Sequence, residues 1–120
     1  MPEATPFNNI TRTEAYGARV ILFGESVNAA EPYALELAKS DSLTLVHPYD
    51  DDKIVAGQGT IALEMLADIE HLDVILVPIG GGGIIAGIAT AAKEISPKIK
   101  IIGVESEQYP SMYESIHGIA

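Results

Sequence analysis

The chain has 120 residues, 48% of them apolar, no cysteine and a formal net charge of −10. That length is one domain or pieces of two, and the missing cysteines exclude disulfides, thiolate metal sites and thiol nucleophiles. The acidic excess argues against nucleic acid or an anionic membrane as partner.

No apolar run approaches the ~18 residues of a membrane span. The segment Met1-Pro2-Glu3-Ala4-Thr5-Pro6 has neither the basic flank nor the apolar core of a signal peptide. The expectation is a soluble, cytoplasmic protein.

Residues 1–7, with two prolines, read as an extended loop. Asn8 to Tyr16 suits a short helix that Gly17 ends. Arg19 to Phe23 is a strand candidate closed by Gly24. A helix follows, firm from Pro32 to Lys39 and starting there or nearer Val27, since proline suits a first turn. Tyr33, Ala34, Leu37 and Ala38 form its expected buried stripe. Leu43 to Val46 is a second short strand.

His47 to Asp52 is a polar turn, and the stretch 47–57 is the one plausible boundary. Helical periodicity resumes at about Gln58, with Ile61, Ala62, Met65, Leu66 and Ile69 on one face. Val74 to Pro78 has no polar residue, which predicts a strand buried on both faces as in a parallel sheet. Gly80, Gly81, Gly82 and Gly83 come next, then a helix from Ile84 to about Ile95, stopped by Ser96-Pro97. Lys100 to Val104 is the last strand, and Tyr109 to Ile116 a final helix. Strict alternation of helix and strand gives an α/β class with parallel strands.

The strand–tetraglycine–helix stretch carries the strongest chemical signal. Glycine lets a ligand approach the backbone. A helix start offers free N–H groups and partial positive charge, which suits an anion such as phosphate. The bland alternative is a loop without a ligand.

Other candidates are weaker. His47, His71 and His117 match no metal spacing and read as ordinary loop or surface histidines. Asp50-Asp51-Asp52 reads as a solvated acidic turn, because calcium loops alternate their ligands. Thr60, in Gly57-Gln58-Gly59-Thr60, either caps the next helix or lines a pocket. Glu105 lies about twenty residues past the glycines, which keeps a dinucleotide reading open although the Gly-x-Gly-x-x-Gly spacing is not met.

Taken together, five stretches resemble one family. They are Met1 to Pro6, Tyr16-Gly17-Ala18, His47-Pro48-Tyr49-Asp50-Asp51 with Ala56 to Thr60, Pro78 to Gly87, and Ile102-Gly103-Val104-Glu105. They resemble the serine/threonine dehydratases and serine racemases, the fold-type II enzymes that use pyridoxal 5′-phosphate. The resemblance implies parts of two Rossmann-like domains: residues 1–53 in the small inserted domain and 54–120 in the large cofactor-binding one. It implies that Gly80, Gly81, Gly82 and Gly83 hold the cofactor phosphate, and that Glu105, with a carbonyl near Tyr109, contributes to a magnesium or calcium site. Ser111 stands where that site would have a carboxylate.

The implied reaction is that of an ammonia-lyase, a hydroxy amino acid such as L-threonine or L-serine giving a 2-oxo acid and ammonia. Serine racemisation is the family's alternative, and a small Rossmann-like nucleotide-binding module or an inactive interaction fragment the alternatives outside it. The family's Schiff-base lysine and its substrate loop match nothing here. Lys39, Lys53, Lys93, Lys98 and Lys100 have no Ser-Phe-Lys context, so no catalytic residue is expected in the chain. The expectation is the middle of such an enzyme, a homo-oligomer when full length. Both partial sheets are expected to expose apolar surface, with Val74 to Pro78 beside Ile101 to Val104, and Leu43 to Val46 beside Val20 to Phe23.

Overall fold

The computed structural model describes residues 1–119. They form two compact units, one from Met1 to Leu45 and one from Val46 onward.

The first unit contains α1 (Phe7–Ala15) and α2 (Val27–Ser40). Gly17, at φ +83°, follows α1 and donates its N–H to the Glu14 carbonyl at 2.8 Å, as its glycine predicts. The helix α2 starts well before Pro32, because Ser26 caps it by accepting the Ala29 N–H at 3.2 Å. Pro32 therefore sits inside the helix rather than in its first turn. Of the expected stripe, Tyr33, Leu37 and Ala38 are half-buried and Ala34 is exposed. Tyr33 stacks on Phe23 with ring centroids 4.2 Å apart.

The two strands expected here do not form. Residues 18–23 and 43–47 have no regular secondary structure and join no sheet. Their backbone groups go elsewhere: Phe23 N–H donates to the Met1 carbonyl at 2.9 Å, and Leu43 N–H turns back to Ala38 at 2.8 Å to close α2. A strand exists only where a ladder partner takes those groups.

The second unit runs α3 (Asp52–Asp68), β1 (Val74–Pro78), α4 (Gly83–Ile95), β2 (Lys100–Val104) and α5 (Ser111–His117). The strands β1 and β2 pair in parallel, Ile75 opposite Ile101 and Pro78 opposite Val104. This is the neighbour relation expected for them. The helix α3 begins about a turn and a half earlier than its periodicity suggests. The Asp51 carboxylate caps it, accepting the N–H groups of Lys53 at 2.8 Å and Ile54 at 3.3 Å. Asp51→Ala is expected to cost about 1 kcal/mol, the usual worth of such a cap; an unchanged urea midpoint would refute that role.

The core lies between the sheet and the α3/α4 pair. Ala62, Ile75, Val77, Ile88, Ala92 and Ile99 are buried, with Met65 and Leu66 packed against them. Ile61 and Ile69 of the expected α3 stripe stay exposed. The strand β1 is buried on one face only: Val77 is 1% exposed and its neighbour Leu76 66%. Helices cover one side of the two-stranded sheet, and the described residues place no second layer on the other, so the all-apolar strand alternates.

Where α3 crosses α4, two glycines face each other. A Cβ on Gly59 would stand 3.2 Å from the Gly87 carbonyl oxygen, and one on Gly87 would stand 2.6 Å from the Gly59 nitrogen. The backbones thus touch without side chains between them. This contact fixes α4, and with it the glycine turn at its N-terminus.

Candidate functional site

The strand β1 delivers the chain to the site. Its ladder extends one step further, Ile79 N–H donating to the Val104 carbonyl at 2.8 Å, and Gly80 to Gly83 then turn into α4. Gly82 is the N-cap, in the left-handed region at φ +91°, and has no side chain to cap the helix. The first bond of the helix runs from Ala86 N–H to the Gly82 carbonyl at 3.0 Å. The N–H groups of Gly83, Ile84 and Ile85 precede it and find no acceptor among the described residues. Free donors at a helix start, with the positive end of its dipole, fit an anion.

The turn also borders a cavity of about 230 Å³ lined by Pro48, Tyr49, Gln58, Pro78, Gly80 to Gly83 and Ile84. All four glycines singled out by sequence are thus brought together on one cavity. The absent side chains matter at three of them. A Cβ on Gly81 would run into the Tyr49 ring, one on Gly82 would stand 2.8 Å from Met112 Cε, and one on Gly83 would stand 2.8 Å from the Tyr49 carbonyl oxygen.

The wall facing the glycines comes from the His47–Asp52 turn. His47 Nδ1 accepts the N–H groups of Tyr49 at 3.3 Å and Asp50 at 2.7 Å, so the proton of the neutral ring lies on Nε2. The two rings meet edge to face, 4.8 Å apart. Sequence reading gave this turn only as part of a family signature, and it missed Tyr49 and Gln58 as lining residues. By periodicity Gln58 marks only the approximate start of a helix.

Glu105 directly follows β2 and serves α5. Its Oε1 accepts Met112 N–H at 2.9 Å and its Oε2 accepts Tyr113 N–H at 2.7 Å. Thr60 neither caps α3 nor lines the cavity; it lies within the helix and donates to the Gly57 carbonyl at 2.8 Å. His117 stacks on Tyr113, and its Nδ1 lies 2.8 Å from that residue's carbonyl oxygen. No cluster of three His, Asp or Glu side chains able to hold a metal occurs among the described residues. No lysine lines the cavity.

Comparison with known proteins matches the whole chain. A family model described as pyridoxal-phosphate dependent enzyme covers residues 1–120. The catabolic L-threonine dehydratase of Staphylococcus aureus is 51% identical over 117 residues, which are 98% of this chain and 34% of that protein. The processed form of threonine deaminase isoform 2 from Solanum lycopersicum superposes with a TM-score of 0.90 at 42% identity, over 98% of this chain and 32% of that one. Serine racemase from Dictyostelium discoideum gives a TM-score of 0.87 at 34% identity, over 98% and 38%. The chain spans about a third of the length of the curated relatives it matches.

Proposed function

The chain belongs to the pyridoxal-phosphate dependent enzymes, and on that premise we propose that it serves as the phosphate-anchoring part of a threonine/serine ammonia-lyase. The observation that carries this reading is the glycine turn: free N–H donors at the start of α4, beside a cavity, with Tyr49 against the Cβ positions of Gly81 and Gly83 and Gly82 at φ +91°. These residues fit a phosphate monoester. Bound there, pyridoxal phosphate would supply the electron sink for chemistry at the substrate's α-carbon. The part of this chain is to hold the phosphate with backbone donors, which suffer no loss of side-chain entropy, and so to aim the ring.

Dehydration is preferred to racemisation because the dehydratase relatives are the more similar in sequence. A Rossmann-like nucleotide module is disfavoured by the match along the full chain. We further propose that residues 1–53 belong to the small domain and 54–120 to the large one, a boundary a few residues past the division between the two compact units, and that the full-length enzyme is a cytoplasmic homo-oligomer with an amino-acid substrate. Among the described residues no helix is long and apolar enough to cross a membrane. A cation at Glu105 would have to share its carboxylate with the Met112 and Tyr113 N–H groups. We therefore propose for Glu105 the role of holding α5.

Calorimetric titration with pyridoxal 5′-phosphate and with pyridoxal tests the anchoring. The phosphate form should bind at least about tenfold tighter, since bonds to a charged group contribute about 1.5–3 kcal/mol each. Equal affinities would refute the reading. By itself the chain, mixed with the cofactor and L-threonine, is expected to form no 2-oxobutanoate above a cofactor-only control, because no amine nucleophile lies beside the site. Chain-dependent turnover would show that one of its five lysines is catalytic.

A further inference from the structure

We propose that Tyr49 is a positioning residue of the phosphate site: its ring, set on Gly81, and its backbone, set against Gly83, hold the turn in the conformation that presents its N–H groups. The inference rests on the cofactor reading above and deepens it.

The first observation is steric. The Tyr49 ring carbons stand where a Cβ of Gly81 would be, so the ring lies directly on that residue. The second is that Tyr49 also meets Gly83 through its backbone, with its carbonyl oxygen 2.8 Å and its Cα 3.0 Å from the Cβ position there. One residue therefore covers both ends of the short turn that carries Gly82. The third is that Tyr49 is itself fixed from behind. His47 Nδ1 takes the N–H groups of Tyr49 and Asp50, and the His47 ring abuts the Tyr49 ring. Asp51 then caps α3, anchoring the turn to the helix that packs on α4.

The physical need is plain. Consecutive glycines have the widest choice of backbone conformations and lose the most freedom when ordered. A ligand that had to order them would bind more weakly by that amount, whereas a turn ordered beforehand binds without that loss. The contact is made by ring carbons, so phenylalanine should make it equally well. Tyr49 is 44% exposed, and its truncation should leave the α3/α4 core folded.

The test compares the chain with Tyr49→Phe and Tyr49→Ala, by calorimetry with pyridoxal 5′-phosphate and pyridoxal and by ¹⁵N relaxation without ligand. Tyr49→Phe should keep the parent affinity within about twofold. Tyr49→Ala should weaken the phosphate form by about tenfold or more and pyridoxal by clearly less, as lost pre-ordering of the phosphate donors predicts. In that variant the order parameters of the Gly81 and Gly82 amides should fall from about 0.85 to below about 0.6. Rigid glycine amides in Tyr49→Ala, or a phenylalanine variant as weak as the alanine one, would overturn the proposal. Equal binding of the two ligands by the parent chain would instead overturn the cofactor reading, and the relaxation data would still decide whether Tyr49 orders the turn.

Discussion

Gly82→Val is expected to weaken binding of pyridoxal 5′-phosphate by about a hundredfold or more. Gly82 sits at φ +91°, a region that costs a β-branched residue about 1–3 kcal/mol. Its new Cβ would also stand 2.8 Å from Met112 Cε. Methionine is flexible and can move, but the backbone strain remains, and the turn relieves it by rotating its N–H groups away from the phosphate. Losing two charge-assisted bonds of about 1.5–3 kcal/mol each gives that hundredfold or more. Gly81→Val should act alike for a different reason, since its side chain would displace the Tyr49 ring. Pyridoxal affinity and the urea midpoint serve as controls. Phosphate-form affinity unchanged in both variants would remove the glycine turn from the site.

The largest effect on stability is expected at Gly87. Its Cβ would meet the Val55 carbonyl oxygen and the Gly59 nitrogen, both backbone atoms of α3, which cannot turn aside as a side chain can. Gly87→Ala should cost about 2 kcal/mol or more, overpacking outweighing the gain of about 1 kcal/mol in helix propensity. Gly87→Val should separate the two helices outright. Gly57 lies one turn into α3 with nothing within 4 Å of its Cβ position. There Gly57→Ala should stabilise by about 0.5–1 kcal/mol, through propensity alone. Urea unfolding followed by circular dichroism decides the matter. If both alanine variants shifted stability in the same direction, the close crossing would not be what selects glycine at position 87.

Much of the site could be read directly from the chain. The apolar run from Val74, the four glycines and the periodic stretch after them specify strand, turn and helix in succession, because each is a local pattern. The phosphate reading follows from that order, since free N–H groups at a helix start need no tertiary partner to exist. The limits of α1, β1, α4 and β2 also follow from local signals, with Gly17 and Ser96-Pro97 as stops. Gly57 and Gly59, by contrast, resemble a loop, since each costs about 1 kcal/mol in a helix. The structure keeps them helical, and Gly59 lets α3 lie against Gly87. That gain is invisible until two distant segments are superposed.

The sequence by itself determined the α/β class, the parallel pairing of β1 with β2 and the position of the glycine turn. Tertiary structure alone decided three things. It put Tyr49 and Gln58 at the cavity, because residues far apart in the chain converge only when α3 packs on α4. It assigned the Glu105 carboxylate to two N–H groups of α5, a choice between acceptor and ligand that spacing does not make. It also left residues 18–23 and 43–47 outside any sheet, because apolar character makes a segment suited to a strand but only a hydrogen-bonding neighbour makes it one.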